Sequence, residues 1–109
     1  MQVLISGRHM SVSAAVKEYC QEKAERLTRF YDRVQSIEVI LDGQSGVHSA
    51  EMIVHADRTD PFVAAEQHDD LYAAIDGVVD KVERQLVRHK EKLRNRKHSV
   101  RPTPPQTPD

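Results

Sequence analysis

Residues 36–68, SIEVILDGQSGVHSAEMIVHADRTDPFVAAEQH, decide the fold. Ile37, Val39 and Leu41 alternate with Ser36, Glu38 and Ile40, the period of a half-buried strand, and DGQSG at 42–46 supplies turn chemistry. The run SAEMIVHA at 49–56 puts Ala50, Met52, Val54 and Ala56 on one side. DRTDP at 57–61 then turns the chain into a short fourth strand, begun by Pro61, with Phe62 and Ala64 on its inward side. One apolar side per strand predicts an antiparallel sheet with a single covered face.

The flanking segments supply the rest of the architecture. QVLISG at 2–7 alternates with Val3 and Ile5 on one side, a short strand. Ser13 is placed to cap a helix over AAVKEYCQEKAERLTRFY, 14–31, in which Val16, Cys20, Leu27 and Tyr31 share a stripe. From Asp69 the period changes to 3.6, and Leu71, Ile75, Val78, Val82, Leu86 and Leu93 line one face of a second, long helix. The proline-rich RPTPPQTPD at 101–109 cannot continue it. The expected fold is therefore α+β, in the order β-α-β-β-β-α: a four-stranded, mostly antiparallel sheet with two helices packed on one face. The first strand, first helix and second strand form a unit long enough for strands one and two to be parallel neighbours through a right-handed crossover. Residues 1–97 are expected to form one domain and 98–109 a disordered Pro-rich tail.

Composition sets the class. The 109 residues include 16 basic and 17 acidic side chains, a formal charge of −1, with 39% hydrophobic residues, 5% aromatic residues and no Trp. One small domain with an aliphatic core is expected. The opening MQVLISGRHMS has no apolar signal region, and no segment reaches the roughly 20 apolar residues of a membrane span, so a cytoplasmic protein is expected. The single Cys20 has no cysteine partner and reads as a small buried apolar residue.

Net charge conceals a segregation. Lys81 to Arg101 holds nine basic residues and two acidic ones, a charge of +7, which leaves −8 on the remainder. The molecule is an electric dipole that a polyanion would meet end first. At about 100° per residue, Lys81, Arg84, Arg88 and Lys92 fall within an arc of about 80°, centred roughly 120° from the apolar stripe. They form a row about 16 Å long, suited to a phosphate backbone more than to one small anion. The order of charges also suits the helix dipole, with Asp69, Asp70, Asp76 and Asp80 in the first turns and the cations at the end, so segregation alone does not establish an RNA site.

Other residue groups have plainer readings. Asp76 and Asp80 lie one turn apart, but no His or Glu completes a ligand set, and they read as a solvated acidic face without a metal. His9, His48, His55, His68, His89 and His98 show no ligand spacing and read as surface residues, with His89 turned towards the apolar stripe. Tyr72 could stack on a base but sits where packing is the commoner role. Lys23 lies near the apolar arc of the first helix, where its stem can snorkel. The sequence holds no nucleophile with a positioned base, Gly-rich phosphate loop or Walker sequence, so neither an enzyme nor a cofactor or small-molecule substrate is expected.

DDLYAAIDGVVDKVERQLVRHKEKL, 69–93, resembles the C-terminal helix signature of the ribosome hibernation promoting factor family. The resemblance extends from residue 1 to about residue 95. It takes in MQVLISGRHMSVS at 1–13, EKAERLTRFYDR at 22–33, AEMIVHA at 50–56 and the Tyr72-Ala73-Ala74-Ile75-Asp76 run. It implies the same β-α-β-β-β-α order, similar to a double-stranded RNA-binding domain with an extra first strand. It further implies binding to ribosomal RNA between head and body of the small ribosomal subunit, overlapping the messenger and transfer RNA sites, and inhibition of translation by occupancy. The family's RNA-facing positions fall on Lys81, Arg84, Arg88, Lys90 and Lys92, with Lys23, Arg26 and Arg29 on the helix beside them. The loop LDGQSGVHS, 41–49, lacks the lysines relatives often carry, and a second, ribosome-pairing domain is not expected. The protein is expected to be a monomer when free. The alternative is a protein-protein adaptor that uses the acidic body of the domain.

Overall fold

The structure, a computed structural model, describes residues 1–98. Six elements follow one another: β1 (Gln2–Arg8), α1 (Ala14–Leu27), β2 (Val34–Gln44), β3 (Val47–Ala56), β4 (Phe62–His68) and α2 (Leu71–His98). The sheet order is β1-β2-β3-β4, with β1 parallel to β2 and the other two pairings antiparallel. This is the expected β-α-β-β-β-α fold. From residue 99 on, the expected disordered tail over 98–109 lies outside the described residues.

Register explains why one face is apolar. Val3, Ile37, Val54 and Phe62 stand side by side across the sheet, and so do Ile5, Val39, Met52 and Ala64. Ile37, Val39, Leu41, Ala50 and Val54 are fully buried beneath the two helices. α2 lies over β3 and β4, and α1 packs against β1 and α2. On α2, Ala74, Ile75, Val78, Val82 and Leu86 are completely buried, and the larger side chains contribute roughly 1.5–3 kcal/mol each. Gly77 permits this approach: a Cβ there would stand 2.6 Å from Cγ of Glu66 on β4.

Several local features differ from the sequence expectation. β2 runs on to Gln44 and pairs it with Val47, so the turn shrinks to Ser45-Gly46, both with positive φ (55° and 77°), as a two-residue hairpin of type I′ requires. α1 ends at Leu27 and not at Tyr31. The Thr28 hydroxyl donates to the Glu25 carbonyl at 2.7 Å, and Arg29 and Phe30 bond back three residues, so the chain tightens into turns that still deliver Tyr31 to the core. Leu93 continues the apolar period of α2 yet remains 37% exposed, because the buried stripe ends at Leu86. His48 is half-buried, with Nδ1 lacking a hydrogen-bond partner, and is not a plain surface residue.

Cys20 occupies the core as expected, 1% exposed, and burial pushes its thiol up to about 11. Its neutral thiol therefore contributes stability below the ordinary cysteine range that is lost as pH rises from about 9 towards 11. Cys20→Ala is expected to lower stability by roughly 1–2 kcal/mol and leave the surface intact, read as a modest fall in Tm. Rapid alkylation of the native protein at pH 7–8 would contradict this placement.

Candidate nucleic-acid interface

α2 is fixed before it reaches its basic end. Asp70 caps it, accepting from the Tyr72 N–H at 3.0 Å through its carboxylate, while its carbonyl accepts from Ala74. Two side chains then fasten α2 to the outer edge of β4. Lys81 Nζ donates to the Ala65 carbonyl at 2.8 Å and pairs with Glu66 at 2.7 Å, and the Gln85 amide donates to the Val63 carbonyl at 3.1 Å. These bonds cover carbonyls of an edge strand that would otherwise lack partners.

The eight cations expected at the site consequently fall into groups. Lys81, although half-exposed, is engaged by the sheet edge, which sets it apart from the other three of the expected row. Arg84 and Arg88 flank Val87 on the outward surface, with Glu83 and Glu91 beside them. Arg84 meets Asp80 at 2.9 Å, but its side chain is 73% exposed and an exposed i,i+4 pair contributes only about 0.3–0.5 kcal/mol, so it remains available. Arg88, Lys90 and Lys92 are exposed and form no ion pair among the described residues. The outward cations of α2 are thus Arg84, Arg88, Lys90 and Lys92.

The α1 cations have a different setting. Lys23, Arg26 and Arg29 line a groove between the helices, floored by Leu27, Phe30 and Val79, and face Asp76, Asp80 and Glu83 across it. Lys23 is held there, 3.7 Å from Asp76 and 5.2 Å above the Tyr19 ring. Tyr19 donates its hydroxyl to Asp76 at 2.5 Å, and that bond, aided by burial, pushes its pKa up to about 12. Tyr72 meets Tyr19 edge to face at 4.9 Å, the packing role expected for it. Asp76 is therefore a tether between helices, which sequence spacing gave no means of seeing. Arg26 and Arg29 are exposed at the groove's rim. No grouping of His, Cys, Asp and Glu suitable for a metal occurs among the described residues.

The family described as Sigma 54 modulation protein / S30EA ribosomal protein matches residues 3–94, nearly all of the described domain. The chain belongs to this family. Among S30EA relatives, a ribosome hibernation promoting factor of Azotobacter vinelandii is 41% identical over 102 residues, covering 94% of each chain. One from Escherichia coli is 34% identical over 94 residues, 86% of this chain and 98% of that one. The N-terminal domain of Thermus thermophilus Protein Y superposes with a TM-score of 0.75 at 31% identity, covering 82% of this chain and 99% of that domain. A ribosomal subunit interface protein from Coxiella burnetii shares the fold, with a TM-score of 0.77 at 23% identity over 84% of this chain and 99% of that one. Loop cations Arg33 and Arg58, which sequence spacing did not single out, approach the end of α2 in this S30EA domain. Neither lies in a charge run, so only the tertiary structure reveals them. No helix among the described residues is long and apolar enough to cross a membrane.

Proposed function

We propose that this protein binds ribosomal RNA of the small ribosomal subunit in the channel used by messenger and transfer RNA, and inhibits translation by occupying it. The consequence is hibernation and protection of ribosomes in stationary phase or stress. The protein acts in the cytoplasm as a monomer when free, makes and breaks no bond, and needs no cofactor. The observation that carries this reading is the outward set Arg84, Arg88, Lys90 and Lys92 on a helix docked on the sheet by an apolar stripe that is buried as far as Leu86. A docked helix holds its cations in fixed relative positions, so they meet phosphates with less ordering cost than loop side chains do. Relatives at 34–41% identity that bear the name ribosome hibernation promoting factor support the partner. The rim residues Arg26 and Arg29 extend the basic surface across the interhelical groove, while Lys81 and Lys23 act mainly by holding α2 in place.

Salt dependence tests the reading. Four phosphate contacts release enough counterions for the logarithm of the association constant to fall against the logarithm of salt concentration with a slope of about −3 to −4. Titration of small subunits at several salt concentrations is expected to return that slope. A slope near zero would reject phosphate binding and favour an adaptor that uses the acidic body.

A further inference from the structure

Beyond the Arg84–Arg88 face, α2 contributes to a concave site that shares Lys90 and Lys92 with the outward set. Residues 89–94 of α2, the α1–β2 connection and the β3–β4 turn converge on a cleft of about 710 Å³, within the roughly 300–1,000 Å³ typical of small-ligand sites. Among the described residues, five cations line it, Arg33, Arg58, Lys90, Lys92 and Arg94, against the one carboxylate of Asp57. The two loops are tied together at its base, where the Asp57 N–H donates to the Arg33 carbonyl at 3.0 Å. Arg58 adopts a left-handed backbone (φ 61°) in the β3–β4 turn, and its side chain is 83% exposed, only loosely paired with Asp57 at 3.9 Å. Its guanidinium is free to turn to a ligand.

The wall of the cleft is not merely basic. Leu93, the one member of the α2 stripe that is more than a third exposed, opens into it. Beside Leu93 stands the half-buried His89 ring, held edge to face against Tyr31 at 5.2 Å and Phe62 at 5.3 Å. A phosphate track along a duplex needs neither concavity nor an apolar wall. A nucleotide turned out of a strand needs both, because its base must find a flat or apolar surface while its phosphates find cations.

We infer that this cleft takes a single nucleotide, with the phosphate on Arg33, Arg58 and the α2 cations and the base against Leu93 and His89. An unstacked residue of single-stranded RNA and a free nucleotide offer the same chemistry, and the test separates them. The inference rests on the RNA-binding reading and adds to it a site for an unpaired residue, distinct from the Arg84–Arg88 face.

The test uses the full chain and fluorescence anisotropy with a labelled single-stranded RNA octamer and a labelled RNA duplex of twelve base pairs. Arg33→Gln with Arg58→Gln is expected to weaken octamer binding at least tenfold and duplex binding less than twofold. Leu93→Ser, which changes no charge, is expected to weaken only the octamer, about threefold or more. ATP and inorganic tripolyphosphate serve as competitors on the octamer. ATP displacing it clearly better than tripolyphosphate, with that advantage lost in Leu93→Ser, would assign the cleft to free nucleotides also; equal, weak competition would restrict it to RNA strands. Equal losses for octamer and duplex in Arg33→Gln, Arg58→Gln, or no effect of Leu93→Ser on either the octamer or ATP, would overturn the inference. Ribosome co-sedimentation of Arg84→Gln, Arg88→Gln reports separately on the proposed function, so a failed cleft and a failed RNA reading give different results.

Discussion

Val82→Asp abolishes cooperative unfolding of the domain near neutral pH. Val82 is fully buried, flanked one turn away on either side by the equally buried Val78 and Leu86, and no polar or charged side chain among the described residues is buried with it. The substitution forfeits the roughly 1.5–3 kcal/mol of apolar burial and places a carboxyl where nothing can hydrogen-bond it, at a further cost of about 2–7 kcal/mol even when neutral. Domains of this size have only about 5–15 kcal/mol of total stability. Because the ionised form is the more costly, the new carboxyl would titrate above its usual range, and the variant recovers part of its deficit relative to the parent as pH falls. Circular dichroism against temperature is expected to show no native transition at pH 7, with ribosome binding lost as a consequence. A parent-like melting curve would mean that α2 is not docked through this face.

Strand alternation made most of the fold legible. Ile37, Val39 and Leu41 face Ala50, Met52 and Val54 as the period of two requires, and Ser13 caps α1, accepting from Val16 N–H at 3.2 Å. The exceptions have local causes. Val34 is buried on the same side as Ile37, three residues away, because the β2–β3 register shifts between Val34 and Ser36 and resets the alternation. Leu93 satisfies the helical period but lies beyond the buried stripe, and His89, between Tyr31 and Phe62, takes the last packed position. A period describes one element and cannot say where its neighbour stops.

The candidate site was legible to the same degree. Helical phase separates Arg84 and Arg88 from the apolar stripe without any knowledge of the sheet. What the phase could not disclose is competition for the cations. Lys81 answers to Ala65 and Glu66, sixteen and fifteen residues earlier, and Lys23 to Asp76 on the other helix. Both are engaged by partners that only folding brings near. Arg33 and Arg58 show the converse, since isolated loop cations become part of a basic cleft where the β2–β3 pairing of Val34 with Ala56, and the Asp57–Arg33 backbone bond beside it, bring their loops together.

Replacing Arg84 and Arg88 together by Gln should weaken ribosome binding by roughly ten- to several-hundredfold at moderate salt while leaving the fold intact. Each arginine offers a phosphate charge-assisted hydrogen bonds worth about 1.5–3 kcal/mol before exposure is discounted, and glutamine retains the length but not the charge. The salt slope should shrink by roughly 1.5–2, because two phosphate contacts no longer release counterions. Stability should change by less than about 1 kcal/mol: both side chains are exposed, and the only ion pair lost among the described residues is the exposed Arg84–Asp80 contact. Thermal unfolding and co-sedimentation on the same samples separate this outcome from that of Val82→Asp, in which binding and fold disappear together. Undiminished binding by the folded double variant would remove the Arg84–Arg88 face from the interface. The phosphate contacts would then fall to Arg26 and Arg29, whose position at the rim of the interhelical groove leaves them exposed to a strand lying across both helices.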